Sequence, residues 1–307
     1  MKFIVIIIGI LLLRHMGTLS RLQRDGWYHQ WVTFVNKKQW FESKPAIGLL
    51  VSLILPLFVL IALLLLMDNH WFGIPVFMLS FLVFLYSLGR GNLEEEIDGY
   101  RDDLRRDDLQ AAYHDAAEFN VTKKVGTSES WSELHEEVIG ALSYRYFERY
   151  FAVIFWFVLA GAPGALLYRL LALHSEMKVT VENKQVENHE LEMSSAQHGL
   201  HIMEWLPVRL MGLSLAFVGN FTACLDSLRA SLLSGSISTL AVMRNYVLAA
   251  LASGSTSVVS QVIKEEKVGE SLSIKQGAET EVAEIRALFS RALMLALCLV
   301  AFFVILL

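Results

Sequence analysis

Residues 46–67, AIGLLVSLILPLFVLIALLLLM, hold no charged side chain, and this run limits what the chain can fold into more than any other feature. An α-helix rises about 1.5 Å per residue, so such a run reaches across the roughly 30 Å hydrocarbon core of a bilayer. Lipid offers the backbone no hydrogen-bond partners, so a spanning segment must satisfy its own N–H and C=O groups as a helix. Pro56 inside the run predicts a kink.

Three more apolar segments follow. Asp68-Asn69-His70 make a short turn into 71–89, where Trp71 stands as an interfacial aromatic, and 46–89 reads as a transmembrane hairpin. Residues 151–173 and 286–307 supply two further spans. Hydrophobic residues reach 54% of the chain, against about 45–50% apolar in ordinary soluble domains. The fold class expected is therefore all-α: a polytopic helical membrane protein with a cytoplasmic helical subdomain and a broken or re-entrant helix. A net charge of −5 gives no basic face for phosphates and argues against nucleic-acid binding. The lipid bilayer is the partner that composition names. Cys224 and Cys298 sit among apolar residues without metal-ligand spacing and read as buried small hydrophobes.

Organisation follows from these spans. Region 1–45 holds a short apolar helix at 3–13 and an amphipathic stretch. Leu19, Leu22, Trp27, Trp31, Phe34 and Val35 form its apolar face, with Arg21, Arg24, Lys37 and Lys38 among them. This is the pattern of an interfacial helix against anionic lipid. Lys and Arg content places 14–45 in the cytoplasm, and the hairpin returns there at Arg90. Segment 90–150 is an acidic helical region on the same side. The span 151–173 then exits near His174 to the opposite face, into a polar loop at 174–204. Lys264, Lys267, Lys275, Arg286 and Arg291 put the approach to the last span back inside, so 205–285 must re-cross. Its best candidate is 205–219, with Pro207 and Arg209 near the start.

The polar residues near these segments are the candidates for chemistry. Positions 94–108 are dense in Glu, Asp and Arg, including Asp107 and Asp108. They read either as a solvated helix laced with i,i+4 pairs or as a carboxylate group holding Mg²⁺. Glu148 lies at a membrane rim, where an unpaired acid is costly, and so requires a partner. Arg169 and Arg209 fall within or beside membrane segments, and Glu204 stands one turn before Arg209 as its expected partner. His198, His201 and Glu204 share a helical face, though without zinc-protease spacing. No P-loop, dinucleotide fingerprint or nucleophile elbow is present. Gly161 and Gly164 suggest a small-residue contact, hence a homodimer.

Four stretches taken together resemble a known family. Arg105-Arg106-Asp107-Asp108-Leu109-Gln110-Ala111-Ala112 is the first. Arg145 to Phe151 running into Ala152-Val153-Ile154-Phe155-Trp156 is the second. Gly161-Ala162-Pro163-Gly164-Ala165-Leu166-Leu167-Tyr168-Arg169 is the third, and Glu204-Trp205-Leu206-Pro207-Val208-Arg209-Leu210 the fourth. Their order is similar to the AmpE family, bacterial inner-membrane proteins described as signalling modulators of β-lactamase regulation in the response to β-lactam antibiotics. That family is distantly similar to the CbiB/CobD adenosylcobinamide-phosphate synthases. Here the resemblance is partial. Asp108, Gly161 to Arg169, Pro207 and Arg209 match the enzymes' pattern, and Glu148 stands where the enzymes have Asp. Tyr144 and Arg145 occupy the enzymes' E-N positions, Ala172, Leu173 and Ser175 their N-T-x-D, and Leu200 and His201 their paired aspartates, with Glu204 at an Asn.

The resemblance implies a regulator or sensor rather than an enzyme, with a small-molecule or nucleotide ligand in a degenerate CbiB-like pocket of Asp107, Asp108, Glu148, Arg169, Glu204 and Arg209. Asp108 and Glu148 are the Mg²⁺ candidates. Two rival expectations are an amide- or phosphodiester-forming membrane enzyme and a transporter.

Overall fold

The uncharged run does form one helix. In the computed structural model, which describes residues 2–16, 23–37, 45–68, 73–89, 93–106, 131–177, 186–233, 237–252 and 271–306, no strand occurs among the described residues. In chain order the helices are α1 (Lys2–Met16), α2 (Gly26–Asn36), α3 (Pro45–Met67), α4 (Ile74–Ser87), α5 (Leu93–Arg106) and α6 (Trp131–Tyr146). A π-helical turn, Phe147–Ala152, leads into α7 (Val153–Glu176). Then come α8 (Val186–Val218), α9 (Phe221–Leu233), α10 (Thr239–Leu251) and α11 (Ser271–Leu306). Four stretches are long and apolar enough to cross a membrane: Ala46–Met67, Leu134–Glu176, Ser195–Val218 and Glu279–Phe302. The architecture is that of an all-α polytopic membrane protein.

The chain divides into two units. The first comprises Met1–Arg90 and Ala152–Trp205. Here α4 packs on α7 and α1, and α3 on α7 and α2. Its core is a tight apolar junction: the Phe84 ring meets Phe157 at 4.7 Å between centroids. Gly9 of α1 lies so close that a Cβ there would stand 2.7 Å from the Phe84 ring. Only glycine lets the two helices approach to that distance. Much of the α3 surface is exposed Leu, Ile, Val and Phe, as suits a helix that meets lipid.

The second unit comprises Gly91–Phe151 and Leu206–Leu307. Its α10 packs on α6 and α9, and α11 on α5 and α6. Gly212 of α8 faces Tyr246 of α10, and a Cβ there would sit 2.5 Å from the Tyr246 ring.

Several expectations change. The segment expected to span at 151–173 belongs to a longer helical run, Leu134–Glu176. That run is not straight, because Gly161 adopts φ 70°, ψ −157°. Such a backbone strongly favours glycine, and Pro163 two residues on removes a helical N–H donor. The loop expected at 174–204 is helical over 186–204 as the first part of α8. Its Glu, Leu, Met, Gln and Ala residues are good helix formers, and polarity alone does not end a helix. The helix continues through Pro207 to Val218, and the chain breaks instead at Gly219-Asn220.

Orientation is also corrected. The structure places His174 and Arg169 beside Tyr28 and Asp25, at the end of the first unit where α4 finishes. The opposite faces expected for 14–45 and His174 are incompatible with those contacts. On α2, the buried stripe is Tyr28, Val32 and Val35, whereas Trp27 and Phe34 remain exposed. Leu19 and Leu22 lie outside the described residues.

Candidate functional site

Asp25 opens α2 at the position where an aspartate usually caps its own helix, yet its side chain makes no capping bond. Its carboxylate instead receives Arg169 Nη2 at 3.2 Å, a pair 144 residues apart in sequence. Both are buried, with side-chain exposures of 1% and 8%. Tyr86 of α4 hydrogen-bonds the same aspartate, and Trp27 Nε1 donates to the Tyr86 hydroxyl at 3.1 Å. Gly89, at φ 79°, brings the end of α4 against the Arg169 guanidinium, where a Cβ would stand 3.4 Å from Nη1. One turn beyond Arg169, His174 Nδ1 lies 3.2 Å from the Tyr28 hydroxyl, both side chains fully buried. Gln23 Nε2 donates to the Leu85 carbonyl at 3.1 Å. Three elements thus converge on a polar cluster inside an otherwise apolar unit.

Glu204, also in this unit, is buried and accepts the Tyr168 hydroxyl at 3.0 Å. Arg169 and Tyr168 are adjacent in sequence, so α7 presents a cation and a phenol to different partners.

In the second unit Glu148 falls in the π-helical turn, buried, with Arg145 Nη1 at 3.2 Å. The partner that its position required therefore exists, one turn earlier on the same helix. Arg209 donates from Nη2 to the Ser231 carbonyl at 3.1 Å, at the C-terminal turn of α9, where helix carbonyls favour a cation. Ser231 Oγ also meets the Tyr246 hydroxyl. Glu204 and Arg209 belong to different units.

The acidic run 94–108 is helical through Arg106, and Asp107 and Asp108 lie outside the described residues. Its ion pairs reach far along the chain as well as locally. Arg101 Nη2 and Arg105 Nε each meet Glu279 Oε1 at 3.0 Å, and Arg286 pairs with Glu94. The hydrogen bonds it donates to Glu279 hold Arg105 even more firmly protonated. Arg101 and Arg105 also pair with Asp98 and Asp102 at i,i+3, where the solvated-helix reading expects i,i+4 pairs.

Among the described residues no group of three or more His, Cys, Asp or Glu side chains is placed to hold a metal. Glu148, a Mg²⁺ candidate, already has a guanidinium on one oxygen, which repels a second cation. Among the described residues His198 and His201 join no such group, and Cys224 is buried while Cys298 is exposed, against the expectation that both are buried. Burial raises the Cys224 thiol to about 11.

Sequence reasoning missed Asp25, Tyr28, Tyr168 and His174. Asp25 stands near Arg21 and Arg24 in a stretch whose apolar face alone draws notice. Its one available signal is Asp-Gly-Trp-Tyr at a helix start, a cap motif that the structure uses differently.

Helices that bury ion pairs and phenol–carboxylate bonds between apolar spans define a polytopic membrane protein built around internal polar contacts. Residues 10–287 match the family described as regulatory signalling modulator protein AmpE, and the chain belongs to that family. It is 27% identical over 161 residues to Protein AmpE of Shigella flexneri, covering 52% of this chain and 56% of the relative. The match therefore spans about half the length of that curated relative. No solved structure matches the chain. The comparisons give no support to a CbiB-like pocket.

Proposed function

We propose that this chain works in the bacterial inner membrane as a multi-pass modulator of β-lactamase induction, answering a change in the envelope during β-lactam exposure. The family match over residues 10–287 carries this reading, because that family is described as a regulatory signalling modulator. The buried polar contacts support it. Charges inside a membrane domain are costly, and they persist where a function uses them. Arg169 and Glu204 in the first unit, with Asp25, and Glu148 and Arg209 in the second are the residues on which a response to a ligand would act. Asp107 and Asp108 complete the set from sequence.

The test is a strain lacking its own copy of the gene, carrying an inducible chromosomal β-lactamase. β-Lactamase activity is followed before and after a sub-inhibitory β-lactam, with and without the full chain in the membrane. The proposal predicts a changed induction curve when the chain is restored. Superimposable curves at confirmed membrane expression would refute it.

A further inference from the structure

The second unit contains a buried chain of three titratable groups from three helices that the regulatory reading does not use. Tyr100 of α5, His135 of α6 and Glu281 of α11 are 1%, 5% and 5% exposed. The Tyr100 hydroxyl lies 3.2 Å from His135 Nδ1, and the two rings stack at 6.5 Å with an interplanar angle of 8°. On the other side of the imidazole, Nε2 faces Glu281 Oε2 at 3.4 Å. Glu281 Oε1 accepts no hydrogen bond among the described residues. A buried carboxylate left this way costs several kcal/mol unless it takes a proton or gains a counter-charge.

We propose that Tyr100, His135 and Glu281 form a proton-binding site that fastens the last span, α11, to α5 and α6. With neutral imidazole, the Tyr100 hydroxyl donates to Nδ1, and Nε2–H faces Glu281. When His135 takes a proton, both ring nitrogens become donors. Tyr100 must then turn from donor to acceptor, and Glu281 gains a full positive partner in a dry setting. Because Glu281 belongs to α11 and His135 to α6, the new attraction acts across the seam between them. Proton binding and seam closure therefore favour one another by linkage.

The surrounding charges are already occupied. From α10, Arg244 reaches the same helix as His135 but is held by Glu136 at 2.8 Å. Along α5 and α11, Arg101 and Arg105 hold Glu279, and Arg286 holds Glu94. Burial, then the nearby Glu281 charge, pushes the Tyr100 phenol upward, so it stays protonated throughout. Imidazoles ordinarily titrate between pH 5 and 8, whereas carboxylates ordinarily do so near 4. His135 is the one histidine of this unit among the described residues.

The experiment is hydrogen–deuterium exchange on the full chain in lipid nanodiscs over a pH series from 5.5 to 8.0, corrected for intrinsic exchange. Peptides covering 93–106 and 279–290 are followed in wild type, His135→Gln, Glu281→Gln and Tyr100→Phe. Wild type should exchange about tenfold more slowly at pH 5.5 in both peptides, as expected for a local opening made costlier. His135→Gln and Glu281→Gln should lose the difference. Tyr100→Phe keeps the stacked ring but deletes the donor to the neutral imidazole, so its transition should move to higher pH. Equal exchange in wild type at pH 5.5 and 8.0 would overturn the proposal, as would an unchanged pH response in either glutamine variant. If one glutamine variant fails to insert, the Tyr100→Phe midpoint decides, and an unshifted midpoint counts against the site.

Discussion

Removing one partner of the Asp25–Arg169 pair should cost far more than removing both. The contact is 3.2 Å, with side chains 1% and 8% exposed, so water cannot solvate whichever charge remains. Breaking a buried pair from one side costs about 3–5 kcal/mol, whereas replacing both partners with neutral groups is often close to neutral. Asp25→Asn keeps an acceptor oxygen for the guanidinium but withdraws its counter-charge. Arg169→Met keeps most of the volume and strands the carboxylate, with Tyr86 still bonded to it. Each single change should lower stability by about 3 kcal/mol or more, and the double variant by at most about 2 kcal/mol. The coupling energy would then be at least about 4 kcal/mol, well above the additivity error of independent sites. SDS titration of the protein in mixed micelles, monitored by circular dichroism, measures all four proteins of the cycle. Single variants within about 1 kcal/mol of wild type, or a double variant equal to their sum, would refute the assignment of this pair as a buried, energetically coupled contact.

Other consequences are equally specific. Gly212→Ala should lose about 1–3 kcal/mol by overpacking, since its Cβ would stand 2.5 Å from Tyr246. Gly26→Ala, which meets nothing within 4 Å, should be neutral or slightly stabilising in the same titration. Tyr168→Phe should cost about 1.5–3 kcal/mol by deleting a hydrogen bond to the buried Glu204 carboxylate, and equal stability would contradict that bond. Burial lifts the Cys224 thiol from 9.0 to about 11, so a membrane-permeant maleimide at pH 8 should label Cys298 well before Cys224. The sign is fixed by linkage: the folded state holds the Cys224 proton longer than the unfolded chain. This contribution is full below about pH 9 and is lost as pH rises towards 11, a loss that Cys224→Ala should abolish.

Hydropathy made the spans legible because it is a local property. Residues 46–67 needed only their own composition to be read as a crossing helix, and the α3 surface, apolar all round, agrees. Family resemblance likewise rested on contiguous stretches. The requirement that Glu148 be paired was legible from cost alone, and Arg145 meets it. What could not be read was pairing across long separations. Nothing near Asp25 announces Arg169, because the pair depends on the Gly161 break and on Gly89 admitting the guanidinium. The helix at 186–204 was hidden for a different reason. Its polarity suggests a loop, although its residues favour helix and contain no proline. Tyr100, His135 and Glu281 each look ordinary in sequence, and only the packing of α5, α6 and α11 joins them.

The central claim is that buried polar contacts within the membrane helices carry the signalling role. Its most direct measurement is the β-lactamase induction curve in the deletion strain, with wild type, Asp25→Asn, Arg169→Met and Glu204→Gln at matched membrane levels. The account predicts that wild type alters induction and that the variants, although inserted, lose most of that effect. Variants that shift induction as fully as wild type would contradict it, and the buried charges would then serve the fold alone.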